Sequence, residues 1–114
     1  MPNKKEMLIA EKIKYVQDTL YVISGKWKLP ILMSMYEGNC RFRDLERSIE
    51  GITTRMLSKE LKELEANQLI MRTVYDSFPI TVEYTVTKYS YTLKPVVDEM
   101  IKWGIQHRKN ITGK

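Results

Sequence analysis

The chain has one cysteine, Cys40, one histidine, His107, and two phenylalanines among its 114 residues. A single thiol excludes an intrachain disulfide framework, so a secreted, stapled fold does not fit. One histidine without a neighbouring cysteine excludes the ordinary structural zinc sites, and no metal is expected. No GxxxxGK[ST] loop and no GxGxxG after a strand is present, so no cofactor is expected either. The carboxylates of RDLERSIE (Arg43 to Glu50) alternate with basic residues in the manner of helix-surface pairs. They suggest no catalytic pair, no catalytic residue is assigned, and an enzyme is not expected. Long apolar runs are also missing: the stretch Trp27 to Tyr36 is too short to span a bilayer and reads as a buried helix. The start, MPNKKEMLIAEK, lacks the apolar core of a signal peptide. A cytoplasmic protein without membrane association follows as the default.

What is present is an ordinary globular balance, 43% hydrophobic and 29% charged. A chain this long buries roughly two thirds of its unfolded surface, enough for one modest core. Residues 1–114 are therefore expected to form a single domain. Nineteen Lys and Arg against 14 Asp and Glu give a net charge of +5. That excess favours a polyanionic partner without proving one.

Residues 1–6 are polar and read as a frayed end. From Leu8 to Ile23, apolar residues recur every three or four positions, including Ile13, Val16 and Leu20, which predicts an amphipathic helix ended by Ser24-Gly25. A second helix is expected over 26–37, with Pro30 tolerated in its opening turn. Gly38-Asn39 stops it, and 40–42 has the look of a short strand. A third helix over 43–49 buries Phe42, Leu45 and Ile49, and Gly51 supplies the turn after it. Thr53 is placed to cap a fourth helix, 54–66, with Met56, Leu57, Leu61 and Leu64 on one side. Asn67 is the expected left-handed terminator. The period then changes to two: 70–75 and 81–87 read as strands around the loop DSFPI, with Val82, Tyr84 and Val86 inward. A last helix, 90–108, carries Leu93, Val96, Val97, Met100, Ile101 and Trp103, with Pro95 either near its start or bending it.

This is an α+β arrangement, mainly helical: a winged helix-turn-helix with a two- to three-stranded antiparallel wing. The helix-turn-helix occupies about 42–66 and the wing about 70–87. A helix entering the major groove must present short polar groups near its N-terminus and basic groups toward phosphates. Thr53, Thr54, Arg55 and Ser58 fit the first requirement, and arginine best matches a guanine edge. Lys59, Lys62, Arg41 and Arg43 fit the second, with Arg72 and Lys88 flanking the wing as weaker candidates. The plainer reading of all of them is a solvated polar face. The aromatic residues, Trp27 and Trp103 foremost, read as core or subunit interface before ligand or base stacking. Cys40 reads as a small inert side chain at a strand edge, although Arg41 and Arg43 beside it would favour its thiolate.

The motifs GKWKLPIL (Gly25 to Leu32), RFRDLERSIEGITTRMLSKELKELE (Arg41 to Glu65), QLIMRTVY, VEYTVT (Val82 to Thr87) and LKPVVDEMIKWG (Leu93 to Gly104) cover most of the chain. In this order they resemble the HxlR-type winged-helix transcriptional regulators, relatives of the MarR group. The resemblance implies a prokaryotic homodimer that binds a pseudo-palindromic double-stranded operator through the helix containing Arg55 and the wing around Phe78, Pro79 and Thr81. It implies a dimer surface from the end helices, about 8–23 and 90–108, where Ile13, Val16, Leu20, Val97, Met100, Ile101 and Trp103 lie. It leaves room for a small-molecule effector of unknown identity. Some members sense oxidants through a cysteine before the first long helix; the matching position is Lys14, so that chemistry is absent from that position. Ile80-Thr81 stands where the wing often carries proline and a basic residue, and Ser90 where glycine is usual. A competing reading is a winged-helix module that binds protein rather than specific DNA.

Overall fold

Short-range stop signals dictate the element order of the computed structural model, which describes residues 7–114. The polar end, 1–6, lies outside the described residues. Helices α1 (Ile9–Ile23), α2 (Lys28–Tyr36), α3 (Phe42–Ser48) and α4 (Thr54–Ala66) are followed by strands β1 (Ile70–Tyr75) and β2 (Thr81–Val86). A 3-10 turn, Tyr89–Thr92, then leads into α5 (Lys94–Thr112). The strands form one antiparallel pair, in register from Ile70 opposite Val86 to Tyr75 opposite Thr81. The architecture is the expected winged helix-turn-helix with flanking helices.

The core is assembled from α2, α3, α4 and the root of the hairpin. Ile31, Leu32, Leu45, Leu57, Leu61, Leu64 and Ile70 are fully or almost fully buried, with Trp27, Phe42, Tyr84 and Val86 packed against them. On α4 the buried stripe is Leu57, Leu61 and Leu64; Met56 is exposed, contrary to expectation. One residue of helix is a rotation of about 100°, which carries Met56 off a stripe centred on Leu57.

Other boundaries differ for identifiable reasons. Residues 40–42 form no strand. The Cys40 carbonyl accepts one bond from the Tyr84 N–H, at 2.8 Å, before the chain turns into α3 at Phe42. The left-handed residue after α4 is Gln68, with φ 63°, not Asn67. Asn67 keeps φ −90°, and its side-chain N–H donates back to the Glu63 carbonyl. Along β2 the alternation is blurred: Val82, Glu83 and Tyr84 are all half-buried. Glu83 is partly covered because Arg41 reaches it. Ser90 falls in the 3-10 turn rather than in the last helix, is completely buried, and donates its hydroxyl to the Thr87 carbonyl at 2.8 Å. Its own carbonyl accepts from the Tyr36 hydroxyl at 2.8 Å, so this serine fastens the turn to α2. Pro95 sits at the opening of α5, where it lacks nothing the helix needs.

The outline is elongated. The radius of gyration is 17.2 Å, against about 13 Å for a compact domain of this length. The principal extents are 57 × 46 × 21 Å. In α1 only Ile23 is buried, and in α5 only Val97. Both helices therefore leave most of their apolar residues uncovered.

Candidate nucleic-acid interface

The site is built on the start of α4. Gly51, at φ 86°, makes the turn that follows α3, a conformation that costs an ordinary residue about 1–2 kcal/mol. The Thr53 hydroxyl then accepts the Met56 N–H at 3.1 Å and caps the helix. The capped helix turns its leucines inward, which leaves Arg55, Lys59 and Lys62 on the opposite, exposed face. Thr54, Arg55, Ser58, Lys59, Lys62 and Glu63 together line one open concavity. Arg43, Arg55, Lys59 and Lys62 have no ion-pair partner within the described residues. Three free cations on one helical face give the site its charge.

Two of the sequence-derived contacts are already engaged within the protein. The Thr54 hydroxyl donates to the Glu46 carboxylate, tying α4 to α3. The Arg41 guanidinium lies 3.4 Å from the Glu83 carboxylate on β2, at the root of the wing. That carboxylate also pushes the Tyr75 hydroxyl above its usual pKa of 10.0, through a hydrogen bond that favours the neutral phenol. Neither Glu46 nor Glu83 was singled out in the sequence, since nothing local marks a contact between elements.

The back of α4 is held differently. Lys28, on α2, reaches Glu60 at 2.8 Å and Glu63 at 2.5 Å. Burial disfavours the Lys28 charge, but the two carboxylates outweigh it and raise its pKa above 10.5. The Lys28 hydrogen bond in turn lowers Glu63 below 4.5. This clamp ties α4 to α2 and leaves Glu63 at the edge of the cationic concavity, where the Lys59 charge also favours its carboxylate.

The wing carries no cation between Arg72 and Lys88. Phe78 is fully exposed at its tip, Pro79 is exposed and Thr81 half-buried. The Ser77 hydroxyl donates to the Pro79 carbonyl at 2.8 Å and braces the loop. On the end helices, Ile13, Val16, Leu20, Met100, Ile101 and Trp103 are exposed, whereas Val97 is 5% exposed and packs within its own chain. Trp103 stacks on His107 with ring centroids 4.8 Å apart. Lys14 lies inside α1, which runs without a break through the position matched to the family cysteine. Cys40 is half-buried. Among the described residues no helix is long and apolar enough to cross a membrane, and no three His, Cys, Asp or Glu side chains gather in a metal-binding group.

The arrangement agrees with comparisons to known proteins. The family model of the HxlR-like helix-turn-helix matches residues 22–112. An uncharacterised HTH-type transcriptional regulator of Halalkalibacterium halodurans is 41% identical over 105 residues, covering 87% of this chain and 93% of the relative. The solved structure of the redox regulator HypR in its reduced form superposes with a TM-score of 0.80 at 40% identity, over 88% of this chain and 99% of that one. A solved Enterococcus faecalis regulator of the MarR family gives a TM-score of 0.81 at 29% identity, over 96% of this chain and 99% of that one. With the cation-bearing helix, the hairpin wing and the flanking helices in that family's order, the chain belongs to the HxlR-like helix-turn-helix family of transcriptional regulators, which are not enzymes.

Proposed function

We propose that the protein is a cytoplasmic, homodimeric prokaryotic regulator that binds a pseudo-palindromic double-stranded operator in a sequence-specific manner. The observation that carries this reading is the set of unpaired cations Arg55, Lys59 and Lys62 on the outward face of a capped, clamped helix. In this reading Arg55 and Ser58 reach base edges, with Thr53 and Thr54 at the helix start beside the backbone. Lys59, Lys62 and Arg43 meet phosphates; Arg41 does so only by leaving Glu83. The wing approaches with Phe78, Pro79 and Thr81 and without a cation of its own. The whole chain, 1–114, acts as one domain.

Dimerisation is supported by the apolar residues that α1 and α5 leave bare, since exposed apolar surface gathered on one face marks an interaction site. Joining two copies there would bury it and set two recognition helices about 34 Å apart, one turn of DNA. A salt titration of DNA binding tests the reading. Six phosphate contacts, three from each subunit, give a slope of about −5 in log affinity against log salt. A winged-helix module that uses these helices to bind protein would show no such slope and no preferred duplex.

A further inference from the structure

A second concavity, of about 630 Å³, lies between α2 and the turn that leads into α4. Its volume is in the range of small-molecule sites. Trp27, Pro30, Met33 and Ile49 give it apolar walls, and Ser48 at the end of α3 with Ile49 and Glu50 of the turn forms one side. Trp27 also lies against the turn glycine, its indole edge 3.7 Å from where a Gly51 Cβ would stand.

The two serine hydroxyls of this groove are left as acceptors. Asn39 donates a side-chain N–H to the Ser34 hydroxyl oxygen at 3.0 Å. The Ser34 and Ser48 hydroxyls lie 2.6 Å apart, and Ser48 donates to the Leu45 carbonyl at 2.9 Å. Because the Ser48 proton is committed to Leu45, Ser34 must be the donor to Ser48. Both hydroxyl protons are thus consumed, and the serines offer an occupant only lone pairs. Glu37 and Glu50 add two carboxylates, with no ion-pair partner among the described residues. The one cation present, Lys26, places its ammonium 4.8 Å from the centre of the Trp27 ring. That contact shows the indole face receiving a positive charge. Two carboxylates against one ammonium leave this groove negative in a chain whose net charge is +5.

We infer that this groove is an effector site for an aromatic organic cation with N–H donors, such as an arylalkylammonium or an aryl amidine. The aromatic part lies against Met33, Pro30 and Ile49, and the cation meets Glu37, Glu50 and the serine lone pairs. An occupant touches the turn from which α4 starts, so occupancy and DNA affinity are linked. The linkage rests on the proposed DNA binding; the occupancy does not.

The test uses a matched pair of probes, 4-phenylbutylamine and 4-phenylbutyrate, on the full chain. The indole N–H resonances of Trp27 and Trp103 are followed by NMR, with Trp103→Phe to assign them. The amine shifts the Trp27 resonance saturably below about 5 mM, a concentration suited to a fragment-sized ligand. The carboxylate binds at least about tenfold more weakly, and E37Q/E50Q removes that preference while leaving the far-ultraviolet dichroism unchanged. Equal binding of the two probes, a response at Trp103 alone, or no saturable shift overturns the site. Amine binding that leaves affinity for a selected duplex unchanged overturns its role as an effector site. If no duplex is bound at all, the NMR arm still decides occupancy, and it is the DNA-binding proposal that falls.

Discussion

Arg55 and Lys62 stand on the same exposed face of α4, yet their chemistry separates their roles. A guanidinium near the start of the helix can pair with a guanine edge in two hydrogen bonds, whereas a lysine farther along meets only a phosphate charge. Arg55→Ala should therefore reduce discrimination between cognate and random duplex, by about 1–3 kcal/mol, while Lys62→Ala weakens both alike and lowers the salt slope by about 1 per subunit. Competition binding on both duplexes checks this, and equal losses for Arg55→Ala would remove its reading role. The identities of these residues were legible in the sequence because the leucine stripe fixes which side of α4 faces out. The engagement of Thr54 by Glu46 and of Arg41 by Glu83 was not, because both bonds join elements whose mutual placement only the packed core determines.

The Lys28 clamp gives a pH dependence whose sign is determined. Glu63 is lowered below 4.5 in the folded chain, so its contribution is present above that value and is lost as the pH falls through its folded pKa. Lys28 is raised above 10.5, so its contribution is present below that value and is lost as the pH rises through its folded pKa. The pair therefore stabilises across the neutral range. Urea unfolding of Glu63→Gln against the parent chain should show a difference at pH 7 that disappears in acid; a difference that grows on acidification contradicts the assignment.

At the scale of elements, α4 is the part that short-range chemistry specifies best. Thr53 caps it, and its apolar positions repeat with the helical period, so both of its ends fell where the sequence indicated. Thr53→Ala should cost about 1 kcal/mol in denaturant unfolding, the usual worth of such a cap. Gly51→Ala meets no hard contact, since the added methyl would lie 3.7 Å from Trp27. Its cost is the left-handed backbone alone, about 1–2 kcal/mol. A loss near zero would mean that the turn relaxes without Gly51. The ends that were misplaced are those decided by tertiary contacts. Asn67 resembles a left-handed terminator, but its side chain bonds back to Glu63 and passes that role to Gln68. The chain at Cys40 has the residues of a strand edge, but α3 begins too soon to allow a third strand. In the last helix, Ser90 is drawn into a buried turn by Thr87 and Tyr36, and the regular helix starts four residues later than its apolar pattern suggests.

For the whole molecule, the decisive fact is how little of α1 and α5 the chain itself covers. Trp103 is 65% exposed and Leu20 52% exposed, on helices that project from the core. The sequence showed these apolar faces but not which of their residues serve the chain's own core. Val97 proves to be one of those, and Met100, Ile101 and Trp103 do not. Met100→Glu should therefore yield a folded monomer with weak DNA binding, whereas Val97→Glu should lower thermal stability directly. Sedimentation mass and melting temperature separate the two outcomes, and an unchanged mass for Met100→Glu rejects this surface as the interface.

Whether two copies present α4 to successive turns of one specific duplex is decided by selecting bound sequences from a random duplex library. Enrichment of an inverted repeat is expected, with half-sites centred about 10 base pairs, or a small multiple of that, apart. Recovery of no enriched sequence, or of a single asymmetric half-site, would contradict it.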